Sequence, residues 1–199
     1  MKRLNLMVLA VASMLSVSTF ANDNFKVDTK ATKVKWLGEK VTGEHAGYIS
    51  LKEGTLEMKD GKLASVSITM DMNSITCTDI EDAEYNAKFV GHLKDDDFFG
   101  VANHATSTFK STSIELFDAE KGKYKVTGDM TIKGITKTQV FEVTLSQNGD
   151  KIIASAKIVI DRTKYDIQYG SASFFDSLGD KAIYDEFTLT VNLEAVKSE

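Results

Sequence analysis

A chain of 199 residues, 42% of them hydrophobic, has enough apolar material for one domain with its own core. Its net charge of −5 argues against nucleic acid and anionic membrane surfaces as partners. A single cysteine excludes an internal disulfide, and the absence of proline leaves the turns to glycine, asparagine and aspartate.

The chain opens with Lys2 and Arg3, an apolar run over residues 4–15 and a small-residue tail ending Thr19-Phe20-Ala21. This order reads as a secretory signal peptide cut after Ala21, and its apolar stretch is short for a membrane span. The expectation is an exported protein, periplasmic or secreted, whose mature domain covers residues 22–199. Without Lys2 and Arg3, 22 basic residues face 29 acidic ones, a net charge of −7. No later segment is long and apolar enough for stable membrane insertion.

Beyond that point apolar residues recur at every second position. Val66, Ile68, Met70 and Met72 alternate with polar neighbours, as do Tyr124, Val126, Gly128, Met130 and Ile132. Phe141, Val143 and Leu145, then Phe187, Leu189, Val191, Leu193 and Ala195, repeat the pattern. Successive side chains on a strand point to opposite faces, so each segment has one oily and one wet side. Eight strands are predicted, at 33–40, 48–59, 62–75, 105–117, 123–133, 137–147, 151–161 and 182–196. Asp60-Gly61 and Asn148-Gly149-Asp150 read as hairpin turns. Residues 79–93 break the rhythm, with Ile80, Ala83, Ala87, Val90 and Leu93 at helical spacing, Asp79 as N-cap and Asp82 in the first turn. A short irregular piece follows at 171–179. The expected fold is all-β: an eight-stranded antiparallel lipocalin-like barrel with an inserted α-helix over one mouth. Such a barrel is just wide enough to hold one small ligand or chain.

Residue chemistry favours binding over catalysis. His45, His92 and His104 lack short metal-ligand spacing, so no metal centre is expected. No nucleophile signature and no phosphate loop is present, so no catalytic residue and no cofactor is expected. Asp95, Asp96 and Asp97 read as a solvated loop. Cys77 reads as a small, partly buried residue, with intermolecular pairing the sharper alternative. His45, in Gly43-Glu44-His45-Ala46-Gly47, reads as a turn residue at the barrel mouth. Arg162 is the only arginine of the mature chain. Its planar fork either locks strand ends or meets a polar head group. Met58, Met70, Met72 and Met130, with small residues at Gly128, Ala154 and Ala156, suit an irregular flexible hydrocarbon.

The chain resembles the YceI-like family of exported bacterial lipocalin-like proteins. The resemblance rests on Trp36, the Gly43-Glu44-His45-Ala46-Gly47 segment with Gly54, and Ile68-Thr69-Met70-Asp71-Met72-Asn73-Ser74-Ile75. It continues through His92-Leu93-Lys94, Asp97-Phe98-Phe99, Ala105-Thr106-Ser107-Thr108-Phe109, the run from Gly128 to Lys137, and Asp161-Arg162 with Tyr165. Where relatives often carry a proline, this chain has Val101-Ala102-Asn103-His104, and residues 169–187 resemble a subgroup only. The resemblance implies a barrel that carries a long isoprenoid or other amphiphilic lipid chain for transport, storage or sequestration. Trp36, Met70, Phe99, Met130, Phe141 and Phe187 are the expected apolar lining. His45, Arg162 and Tyr165 are the expected polar mouth. The rivals are an enzyme acting on a bound lipid and a structural or stress-related barrel without ligand. Oligomeric state stays open, a homodimer among the options.

Overall fold

The computed structural model describes residues 22–198, so the expected signal peptide lies outside the described residues. Nine strands and one α-helix follow in order. They are β1 (Asn22–Val27), β2 (Lys33–Lys40), β3 (Gly43–Lys59), β4 (Lys62–Asp71), α1 (Ala83–Lys94), β5 (Thr106–Asp118), β6 (Lys123–Ile132), β7 (Ile135–Asn148), β8 (Lys151–Asp161) and β9 (Ile183–Lys197).

Strands β2 to β9 form a closed antiparallel barrel of eight, each pairing with its sequence neighbours, with β2 joined to β9 across the seam. At that seam Val34 faces Val191 and Trp36 faces Leu189. Closure removes the free edges that an open sheet would expose. The expected eight strands are therefore present, and β1 is an addition. It pairs Phe25 with Leu56 of β3 and Val27 with Ala195 of β9, filling the gap left where β2 is too short to reach.

Local chemistry sets the turns. Asp60 and Gly61 join β3 to β4 with φ of 53° and 73°, the left-handed pair that a two-residue hairpin requires. The expected third strand over 62–75 stops early, at Asp71. There the aspartate side chain accepts from Asn73 N and starts a short 3₁₀ turn, Met72–Ser74. The segment around His45 is not a turn but the first part of β3, with His45 opposite Gly38 of β2. Gly47 is needed there for closeness: a Cβ on it would lie 1.8 Å from the Thr76 carbonyl oxygen.

The N-cap of α1 is Asp82, whose side chain accepts from Tyr85 N at 2.7 Å, rather than Asp79. The helix turns Tyr85, Phe89, His92 and Leu93 toward the barrel, not the Ala83–Ala87–Val90 stripe. Ala83 and Ala87 are exposed. Both α1 and the loop between β8 and β9 cap the same end. The opposite end is plugged by Phe25, Met58, Tyr124, Leu145, Ile152 and Ala195, all buried. No described helix is long and apolar enough to cross a membrane.

Candidate ligand-binding cavity

Above that plug the barrel is hollow. A cavity of about 750 Å³ runs from Leu56, Leu63 and Leu193 up to α1. This lies in the range of small-molecule sites, about 300–1,000 Å³. Alternation explains the wall: inward positions above the plug supply the lining, and small side chains at Ala154 and Ala156 leave the bore open.

All six expected apolar residues line this space: Trp36, Met70, Phe99, Met130, Phe141 and Phe187. They come from β2, β4, the segment after α1, β6, β7 and β9. Phe109 and Phe141 meet with ring centroids 5.0 Å apart, and Phe99 meets Phe187 at 6.2 Å. Tyr85 and Phe89 of α1 and Tyr169 of the β8–β9 loop, which do not stand out in the sequence, also line the cavity. Their signal was a second helical stripe, Tyr85–Phe89–His92, one step round from the aliphatic one.

The three expected polar residues part company. His45 lines the cavity and packs its ring 4.6 Å from that of Phe89. Arg162 also borders it, but its donors are committed. Nε donates to Tyr184 O at 3.0 Å, Nη1 to Ile167 O at 2.8 Å and Nη2 to Ile183 O at 3.0 Å. Burial pushes its pKa down from the ordinary value, with Asp185 and Asp161 opposing that shift. Tyr165 is fully buried away from the cavity lining, its hydroxyl accepting from Gln139 Nε2 at 3.1 Å.

The rim carries both signs of charge. Glu39, Glu44, Asp180 and Glu186 stand against Lys40 and Lys181. His92, on the α1 side, lies 2.9 Å from Asp97 and packs against Phe98 and Tyr169, centroids 4.9 and 4.7 Å away. His104 is not part of the lining and sits against Gly100 and Gly134.

Beside His45 lies a grouping that histidine spacing alone did not reveal. The strand-like segment after β4 runs along the upper edge of β3, with Thr76 N donating to Tyr48 O and Thr78 N to Ala46 O. It places Asp79 Oδ2 2.9 Å from His45 Nδ1 and Asp79 Oδ1 3.0 Å from Cys77 Sγ. Burial works against the ionised Asp79, yet bonds from Cys77, Ala46 and His45 outweigh it and hold its carboxyl down at about 2. Burial, and then the Asp79 bond, push the Cys77 thiol up.

A closed barrel around an apolar bore with a helix at one end defines a cavity-bearing binding barrel. The chain matches the YceI-like domain over residues 25–195, and it belongs to that family. A UPF0312 protein of Vibrio cholerae is 31% identical over 142 residues, covering 66% of this chain and 68% of that one. A UPF0312 protein of Ectopseudomonas mendocina is 34% identical over 105 residues, but the match spans only 50% of that relative's length. Among solved structures, Burkholderia cenocepacia BcnA matches with a TM-score of 0.66 and 26% identity, over 85% of this chain and 99% of that one. A polyisoprenoid binding domain from Saccharophagus degradans, implicated in plant cell wall breakdown, matches with a TM-score of 0.63 over 90% of this chain and all of that one. At 14% identity it shares the fold alone.

Proposed function

We propose that this protein holds one long-chain amphiphilic lipid, of isoprenoid or similar branched apolar character, in its barrel. The single observation that carries the reading is the continuous apolar bore, which among the described residues is plugged at the β1 end and lined by α1 residues at the other. The tail descends past Phe187, Phe141 and Met130, and the polar end stays at the rim near His45. Burial of hydrocarbon drives binding at about 0.8 kcal/mol per CH₂ group, partly offset by ordering the ligand. Four rim carboxylates against two ammonium groups favour an uncharged polar end over an anionic one. The description of a fold neighbour as a polyisoprenoid binding domain agrees with this reading.

The function is binding without turnover, in transport, storage or sequestration by an exported domain comprising residues 22–199. Supporting this, His45 and His92 each hydrogen-bond a carboxylate, and the Ser107 hydroxyl donates to the Met72 sulfur.

The test is native mass spectrometry of protein purified from its own host, followed by organic extraction. One bound lipid per chain, released by solvent and shifting Trp36 fluorescence on rebinding, is the expected result. A chain that carries no lipid and fails to take up added prenol or long-chain alcohol would overturn the reading.

A further inference from the structure

His45, Cys77 and Asp79 present imidazole nitrogen, sulfur and carboxylate oxygen, and these three atoms all lie within 4.8 Å of one another. They come from two backbone segments that main-chain hydrogen bonds hold together, with side chains adding to the contact. Thr76 and Thr78 donate their N–H groups to Tyr48 and Ala46, and Asn86 Nδ2 donates to Cys77 O and Ile80 O at 3.0 and 2.9 Å. Ala46 N fixes the Asp79 carboxylate through Oδ1 at 3.1 Å. The three donors are therefore arranged before anything binds.

The residue types are informative. If the cluster were only a hydrogen-bonded latch, a serine at position 77 would donate to Asp79 better than a weak thiol donor does. Nor is this a catalytic thiol, because the carboxylate, not the imidazole, stands between the other two groups. A nitrogen, a sulfur and a carboxylate oxygen together are the donors that zinc takes, at about 2.0–2.3 Å each. Asp79 lies 2.9 Å from His45 and 3.0 Å from Cys77, so shifts of well under a side-chain length bring all three onto one ion.

We propose that His45, Cys77 and Asp79 form a three-ligand site for a divalent transition ion of borderline softness, zinc in the first place, with water in the fourth position. On binding, the thiol proton leaves to solvent. The thiolate and carboxylate then balance the two positive charges, which suits a half-buried position. The site shares His45 with the rim of the lipid cavity, but zinc titration of lipid-free protein tests it independently of the lipid reading.

The test uses the folded chain, reduced and stripped of metal, titrated with Zn²⁺ alone by calorimetry and with Co²⁺ as a spectroscopic probe. A single equivalent of zinc should bind, and cobalt should give a thiolate charge-transfer band in the near ultraviolet. Cys77→Ser should abolish that band. Cys77→Ser and His45→Gln should each weaken zinc binding by more than about a hundredfold, since even outer-shell changes cost 10–100-fold. His104→Gln should leave the affinity unchanged. Circular dichroism confirms that each variant is folded. Absence of zinc binding by the folded wild-type chain, or retention of full affinity and of the band in Cys77→Ser, would overturn the site and leave a hydrogen-bonded latch.

Discussion

Gly47 and Thr76 approach so closely that a Cβ on the glycine would lie 1.8 Å from the threonine carbonyl oxygen and 2.9 Å from the Trp36 ring. The same oxygen accepts from Trp36 Nε1 at 2.9 Å. One atom thus ties the first strand of the barrel to the segment leading into α1. Gly47→Ala must push backbone away from backbone, the costly form of overpacking. The expected loss is about 3 kcal/mol, the upper end of such penalties. A lower urea midpoint, with red-shifted Trp36 emission, checks it. Unchanged stability would mean that the 76–79 segment is free to move aside.

Arg162 holds three backbone carbonyls from two segments while only 4% exposed. Lysine keeps the charge but cannot reach Tyr184, Ile167 and Ile183 together with one ammonium group. At least one buried carbonyl is then orphaned, at a cost of about 1–3 kcal/mol. Arg162→Lys should lower the thermal midpoint and weaken a neutral and an anionic lipid alike. A selective loss of the anionic lipid at unchanged stability would reassign Arg162 to the head group.

The barrel wall was legible because each strand has one buried face. Alternation at Tyr124, Val126 and Met130, or at Phe187, Leu189 and Val191, is a local record of a global fact. What stayed hidden depends on distant partners. Strand β1 is short, and its pairs lie near residues 55–59 and 195–197, so Phe25 and Val27 carry little pattern of their own. Two glycines made the His45 segment read as a bend, whereas Gly47 is small because Thr76 crosses it. Asp79 and Asp82 have equal local claims to cap α1. The choice is made by His45, 34 residues away from Asp79, which takes it for another bond. Tyr165 and Arg162 lie near each other in sequence and read together as a mouth, but a 3₁₀ turn over Arg162–Tyr165 sends the tyrosine to full burial.

That turn makes stability depend on pH. Burial works against the ionised Asp161, but Thr163, donating through both Oγ1 and N, and the nearby Lys164 hold its carboxyl below the ordinary 3.8. The folded value is the lower one, so the stabilisation is complete above about pH 4 and disappears as pH falls through the folded value. Asp161→Asn keeps one acceptor and loses the charge. Its deficit relative to wild type should be full at about pH 7 and shrink at about pH 3. Urea midpoints across that interval measure it. A constant deficit would show that the carboxylate charge contributes nothing.

The bore can be blocked without touching its mouth. Ala156 of β8 lines the cavity between Val143 of β7 and Val191 of β9, and its small side chain leaves space that a phenyl ring would fill. Ala156→Phe buries an aromatic ring where a ligand tail would lie, so the empty protein keeps its stability or gains. A bound lipid must withdraw at least two CH₂ groups, about 1.6 kcal/mol and hence more than about tenfold in affinity. Lipid recovered by solvent extraction should fall by about that factor, while the thermal midpoint of stripped protein does not drop. The filled wall also removes the slack that a flexible chain exploits, so short-chain alcohols should lose less affinity than long ones. Equal losses for both would place the tail elsewhere in the barrel, and undiminished binding of long chains would show that the bore near Ala156 is not the site.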